Sequence, residues 1–249
     1  MTRCDQELDR YARQIVLPQF GGVGQRRLKQ ASVAVIGAGG IGSAVIPALA
    51  GSGVGGLTII DSDAVEIANL HRQPLFTEED RGKPKAELAA EFVRRLNGFV
   101  DVRPRQERIG TDNAVALLQS HDLVIDGSDN FATRLAVSDA CVALGVPLIS
   151  AAAVQLQGQL GLFRAKPCYR CFVGEAFDAD DCDNCAELGV VGALTATVGS
   201  FAALLAINSI VGIGEDQSGR LHLFDGERLS WRAIRIPADP GCRACAAAA

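Results

Sequence analysis

The chain has 249 residues, 48% of them hydrophobic and 21% charged, with a formal net charge of −5 and a pI ≈ 5.3. That is enough apolar material for a full core, as one large domain or one and a half. An acidic balance without a basic run gives no attraction for nucleic acid, and the N-terminal Met1-Thr2-Arg3-Cys4-Asp5 opens no apolar signal region.

In chain order, Asp5 is placed to cap a first helix whose apolar positions Leu8, Tyr11, Ala12 and Ile15 share a face, and Leu17-Pro18 stops it. Residues 1–31 therefore read as an N-terminal helical arm. Its Arg10 and Arg13 are most simply solvated helix charges.

Residues 33–63 organise the rest of the chain. The β-branched run Val33-Ala34-Val35-Ile36 is a buried parallel strand by pattern. It enters Gly37-Ala38-Gly39-Gly40-Ile41-Gly42, a G-x-G-x-x-G spacing. A small apolar helix from Ser43 ends at Gly53, and a second strand, Leu57 to Ile60, delivers Asp61. This is a βαβ unit for an adenine nucleotide. Gly37 permits the turn, Gly39 lets backbone approach a phosphate, Gly42 lets the helix close on the strand, and the helix N-terminus faces the phosphate. Asp61 is placed to accept from a ribose.

A polar connection from Ser62 to Lys83 holds Asn69-Leu70-His71-Arg72-Gln73 and leads into Gly82-Lys83-Pro84-Lys85. An amphipathic helix follows, with Ala86, Leu88, Ala89, Phe92, Val93 and Leu96 inward. A short strand at Val100–Val102, a modest helix at Asn113–Gln119, a strand ending at Asp126, a helix from about Ala132 to Leu144 and a strand at Val146–Ala151 complete an alternating pattern. Alternation of this kind predicts a parallel sheet with ligands beyond its carboxyl edge, where Asp61 and Asp129 both fall.

From Gln155 the pattern turns antiparallel, at Gln157–Phe163 and at a hairpin of Leu221–Asp225 with Trp231–Ile236. Leu188 to Gly214 carries no charge and is long enough for a bilayer. Its glycines, threonines and flanking acids favour a buried core helix instead, with small residues for close packing. The acidic stretch Glu175–Asn184 reads as a crossover loop that orders when a partner's tail threads under it.

Six of the eight cysteines form three C-x-x-C pairs: Cys168/Cys171, Cys182/Cys185 and Cys242/Cys245. The pattern suits a reducing, cytoplasmic compartment and a structural Cys₄ zinc site. Spacing alone allows any two pairs to form it. For phosphate chemistry the candidates are Arg72, Lys83, Lys85 and Asp129: cations for non-bridging oxygens and a carboxylate for Mg²⁺.

RYARQI, GAGGIG, the acid after the second strand, NLHRQ, GKPKA, GSDN, PCYRC, CAELGVVG and PGCRAC, in this order, closely resemble the MoeB/ThiF/HesA family of E1-like adenylyltransferases. The resemblance covers nearly the whole chain. It implies a Rossmann-like, mostly parallel sheet extended by antiparallel strands, with helices on both faces and a Cys₄ zinc site. Within a single domain, residues 32–153 would form the nucleotide-binding half and 154–249 the carrier-binding and zinc half. The implied reaction is ATP-dependent adenylation of the C-terminal Gly-Gly carboxylate of a small ubiquitin-like sulfur carrier of the MoaD/ThiS type, for molybdopterin or thiamine biosynthesis.

By match to the motifs, Gly37, Gly39, Gly40, Gly42, Asp61 and Asn69 would hold ATP, Arg72 and Lys85 the phosphates, and Asp129 the Mg²⁺. Arg13 would reach the ATP of the neighbouring subunit of a homodimer. Cys168, Cys171, Cys242 and Cys245 would hold zinc, and Cys185 matches a sulfur-handling thiol, although Cys182 departs from the pattern. No rhodanese-like segment follows residue 249, so a separate sulfur donor is expected. Two rival readings remain at this point. An NAD-dependent oxidoreductase would need a catalytic His, Tyr or Lys that the sequence does not offer. A non-catalytic nucleotide-binding scaffold would have no use for the Arg72/Lys85/Asp129 set.

Overall fold

The computed structural model describes residues 3–174 and 188–246. Five parallel strands form its centre: β1 (Ser32–Ile36), β2 (Gly56–Ile60), β3 (Asp101–Arg105), β4 (Leu123–Asp126) and β5 (Leu148–Val154). Three more, β6 (Gln157–Phe163), β7 (Arg220–Asp225) and β8 (Ser230–Arg235), continue the sheet antiparallel. The order is β3-β2-β1-β4-β5-β6-β7-β8. The chain enters the antiparallel half by a hairpin that pairs Val154 with Gln157.

The central strands are apolar on both faces because both are covered. Val33, Val35, Leu57, Ile59 and Ile149 face α2 (Gly21–Gln30), α3 (Gly42–Ser52), α4 (Lys85–Leu96) and α8 (Gly192–Val211). Ala34, Ile36, Val124 and Leu148 face α5 (Ala114–Leu118), α6 (Phe131–Leu144) and α7 (Tyr169–Val173). The fold class implied by the sequence is the one observed.

The uncharged stretch becomes α8, which lies against α3, β5 and β6, so half of its most apolar window is buried inside the protein. Small residues set how closely it lies. A Cβ on Gly199 would come within 2.6 Å of the Ile41 carbonyl oxygen, and one on Gly24 of α2 within 2.7 Å of Val211.

The N-terminal segment needs correction. α1 (Arg3–Ile15) places Asp5 inside its first turn rather than at the cap. Its expected apolar face does not form: Tyr11 is 3% exposed but Leu8 is 56% exposed, and Ala12 is exposed as well. The helix is anchored mainly by Tyr11, whose hydroxyl accepts from Asn97 Nδ2 at 2.8 Å, and by Gln14, which donates to Ser52 O at 3.0 Å. α2 follows as a separate helix, although glycines at 21, 22 and 24 disfavour one there. The acidic stretch and Cys182 and Cys185 lie outside the described residues.

Candidate active site

The loop between β1 and α3 is built by its glycines. Gly37 has φ +85° and donates its N–H to Ile60 O at 2.9 Å, which bends the chain out of β1. A Cβ on Gly42 would collide with the Gly37 carbonyl oxygen, so only glycine lets α3 start this close to the strand. A Cβ on Gly40 would meet Thr195 Oγ1 at 2.9 Å, whereas Gly39 has only an ordinary neighbour, Gln73 Nε2 at 3.6 Å. Gly39 is therefore not required by packing against the rest of the chain.

Asp61 ends β2 and holds this loop. Its Oδ2 accepts from Ala38 N at 2.7 Å and its Oδ1 from Asp63 N at 2.8 Å. Only 8% exposed, its carboxyl is pushed up by burial, against the opposing pull of the two N–H groups and the Lys85 ammonium. It is part of the loop's own scaffold as well as a candidate ribose acceptor.

The cations come from the following connection. Lys85, the first residue of α4, is 4% exposed, and its Nζ lies 3.2 Å from Asp63 Oδ2. A buried ammonium with a single exposed carboxylate partner is costly in the free protein and suited to a second anion. Arg72 is half-buried; its Nη2 donates to Asn69 Oδ1 at 2.7 Å, and its Nη1 lies 2.9 Å from His71 Nε2. Lys83 instead pairs with Asp80 at 3.2 Å. The exposed Asp129 lies in the loop between β4 and α6.

Three backbone approaches bring these groups to one edge. A Cβ on Gly37 would stand 3.3 Å from Gly127 O and 3.4 Å from Ser128 N, so the glycine loop and the Asp129 loop abut. The start of α8 presses on Arg72: a Cβ on Gly192 would collide with His71 O and lie 3.1 Å from Arg72 Cα. Thr195, one turn on, touches Gly40. Arg13 is not brought here. α1 is tied by Arg10 to Leu96 O and by Gln14 to Ser52 O, the far ends of α4 and α3, at the opposite edge of the sheet from the chain's own glycine loop.

Three further residues belong to this edge. Gln73 is buried beside Gly39, with its Oε1 unpartnered among the described residues. Asp126 and Arg134 are buried beneath the Asp129 loop. An acid closing an apolar strand is a readable signal for Asp126, and Gln73 closes the NLHRQ motif, but nothing in the sequence marks Arg134.

Of the three cysteine pairs, the structure gathers the two implied by the resemblance. Cys168, Cys171, Cys242 and Cys245 have all four Sγ atoms within 4.8 Å of one another, with separations of 3.6 Å for 168–242 and 3.4 Å for 171–245. A tetrahedral ion with bonds of about 2.3 Å to sulfur sets its ligands roughly 3.8 Å apart, so the four thiols fit such a metal. Arg170 between the first two cysteines clamps Asp139 of α6 at 2.6 and 2.7 Å. Cys141 is a different case: burial pushes its thiol up to about 12, as expected of an inert core cysteine.

The ThiF family profile matches residues 11–244. The chain is 44% identical to a protein of Thermus thermophilus named sulfur carrier protein adenylyltransferase, over 98% of this chain and 93% of that one. It is 42% identical to the adenylyltransferase and sulfurtransferase MOCS3 of Culex quinquefasciatus, covering 96% of this chain but only 55% of that protein. Among solved structures, E. coli MccB with ATP superposes with a TM-score of 0.83 at 25% identity, over 95% of this chain and 73% of that one. The glycine loop, the cation-bearing connection, Cys168, Cys171 and Cys242 all lie inside the span matched by the profile, with Cys245 one residue beyond it, and the chain belongs to the ThiF family.

Proposed function

We propose that this chain is an ATP-dependent adenylyltransferase that joins AMP to the C-terminal glycine carboxylate of a small ubiquitin-like sulfur carrier. The observation that carries the reading is one sheet edge holding the glycine loop, Asp61, the buried Lys85, Arg72 and Asp129. The relative named a sulfur carrier protein adenylyltransferase supports the choice of substrate. MgATP enters with its phosphates along the glycine loop and the N-terminus of α3, and its ribose on Asp61. The carrier's carboxylate oxygen attacks the α-phosphorus; a carboxyl–phosphorus bond forms, the α–β bridging bond breaks, and pyrophosphate leaves with the electron pair. Arg72 and Lys85 neutralise the charge that develops on the phosphate oxygens, and Asp129 orients the Mg²⁺ that arrives with ATP.

The remaining assignments extend the same reading. Zinc is the ion for the four cysteines, where it ties the chain's end to the segment after β6. Because α1 is anchored at the edge remote from the chain's own glycine loop, Arg13 is assigned to the site of a second copy in a homodimer. The carrier belongs to molybdopterin or thiamine synthesis and receives sulfur from a separate donor. Adenylation uses no thiol, so Cys185→Ala leaves it intact and impairs only a later sulfur step.

The test is chemical. Carrier ending in Gly-Gly, incubated with enzyme, MgATP and hydroxylamine, yields a terminal glycine hydroxamate; carrier shortened by one glycine yields none. Absence of hydroxamate with the intact carrier, while ATP binds, would refute the reading.

A further inference from the structure

The Asp129 side chain has no hydrogen bond to the rest of the chain among the described residues, yet its loop is held from beneath with unusual thoroughness. Gly127 N donates to Ile36 O at 2.9 Å. Ser128 N donates to Oδ1 of Asp126, a fully buried carboxylate, at 2.9 Å. On its other side the peptide joining Ser128 to Asp129 presents its carbonyl oxygen to Arg134 Nη2. That guanidinium, 8% exposed, also donates to Ser150 Oγ at 3.0 Å and Ala151 O at 2.8 Å on β5. Behind it, the Tyr169 hydroxyl lies beside the side chains of Arg134 and Ser150, which partly offset the effect of burial in raising its pKa. Tyr169 follows Cys168 directly, and its ring is fixed edge-on by Phe163 and Phe172.

A buried arginine is expensive unless every partner is in place. A surface loop needing only to join β4 to α6 has no use for one, since Asn130 already caps α6 by accepting from Thr133 N at 2.8 Å. We propose that Arg134 is a positioning residue for Asp129: with Asp126 it fixes both peptide groups of Ser128, and through Tyr169 it ties the metal-bearing loop to the first cysteine knuckle. The planar fork suits this task because one rigid group reaches the loop and two points on β5 together. The proposal rests on the reading of Asp129 as the carboxylate that orients Mg²⁺.

The test measures metal binding apart from turnover. Mn²⁺ is titrated by electron paramagnetic resonance into enzyme saturated with a non-hydrolysable ATP analogue, alongside pyrophosphate exchange, analogue affinity in EDTA, and melting temperature. Arg134→Gln should weaken Mn²⁺ binding and exchange together by about 10- to 100-fold, as outer-shell supports of metal ligands do, with analogue affinity in EDTA unchanged. Adding Arg134→Gln to Asp129→Ala should lower exchange little further, because both act on one interaction. Tyr169→Phe keeps the ring packing, removes only the polar contact behind the guanidinium, and should cost about 3-fold. If Arg134→Gln fails to fold, Arg134→Lys decides: it keeps the charge without the fork, and wild-type Mn²⁺ affinity in it would overturn the proposal. Normal Mn²⁺ affinity in Arg134→Gln beside a loss in Asp129→Ala removes Arg134 and leaves Asp129 in place. Normal affinity in Asp129→Ala overturns the reading of Asp129 and this proposal with it.

Discussion

The nucleotide edge and the cysteine clip are held together by opposite means. At the carboxyl ends of β1, β2 and β4, order comes from the protein itself: glycines allow backbone to touch backbone, Asp61 ties the loop, and a continuous apolar core lies beneath. At the clip, the cluster of buried residues among those described is Cys168, Cys242 and Cys245, with the half-buried Val142, Cys171 and Ala244 packed against it. The last described residues are also held by Lys166 Nζ, which donates to Ala246 O at 2.9 Å, and by Asp239 N, which donates to Cys171 Sγ at 3.4 Å. The first region should keep its shape without its ligand, while the second should depend on its metal.

Substitutions at the nucleotide edge should therefore change chemistry far more than stability. The largest effect expected is for Asp129→Ala, at least roughly 100-fold in adenylation, because in the proposed mechanism the exposed carboxylate acts through the metal. Pyrophosphate exchange near wild type would remove it from the mechanism. Lys85→Met should lower exchange by about 10- to 100-fold through loss of a cation at the phosphates, and its melting temperature should hold or rise, since a buried charge is replaced by apolar volume. A large fall in melting temperature without loss of exchange would make Lys85 structural.

The opposite pattern is expected at the clip. Cys242→Ser should release the metal, seen by elemental analysis, and expose the segment after residue 236 to protease, while ATP affinity stays within about 3-fold of wild type. Loss of ATP binding in that variant would show that the two regions are one unit.

The smallest effect concerns pH. His121 and His222 are each pushed down by burial, and the unfolded chain binds their protons more readily. A group with a depressed folded-state pKa contributes stability above its ordinary value and loses it as pH falls, here from about pH 6.5 downward. His222 Nε2 is buried without a partner among the described residues, so His222→Gln should flatten the acid side of the stability profile. An unchanged profile would place the acid sensitivity elsewhere.

How much the sequence reveals depends on where each signal is written. The glycine loop, Asp61 and the C-x-x-C pairs are local patterns whose spacing is itself the mechanism, and strand alternation reveals the parallel half. α2 is hidden because its glycines oppose local helix propensity, and of these Gly24 is explained by its close approach to Val211 of α8. Arg134 resembles a surface charge in sequence, since burial of a cation depends on partners at Ser128, Ser150 and Ala151 that come from other elements. The meeting of Cys168 and Cys171 with Cys242 and Cys245 is likewise a tertiary matter, visible only in which of the described thiols the fold gathers.

The central claim is that this edge activates a carboxylate on a protein. The most direct measurement is ATP–pyrophosphate exchange with labelled pyrophosphate, with and without a carrier ending in Gly-Gly. The account expects exchange that requires the carrier, saturates with it and disappears when the terminal glycine is removed. Exchange that is absent with the intact carrier, or equally fast without any carrier, would contradict it.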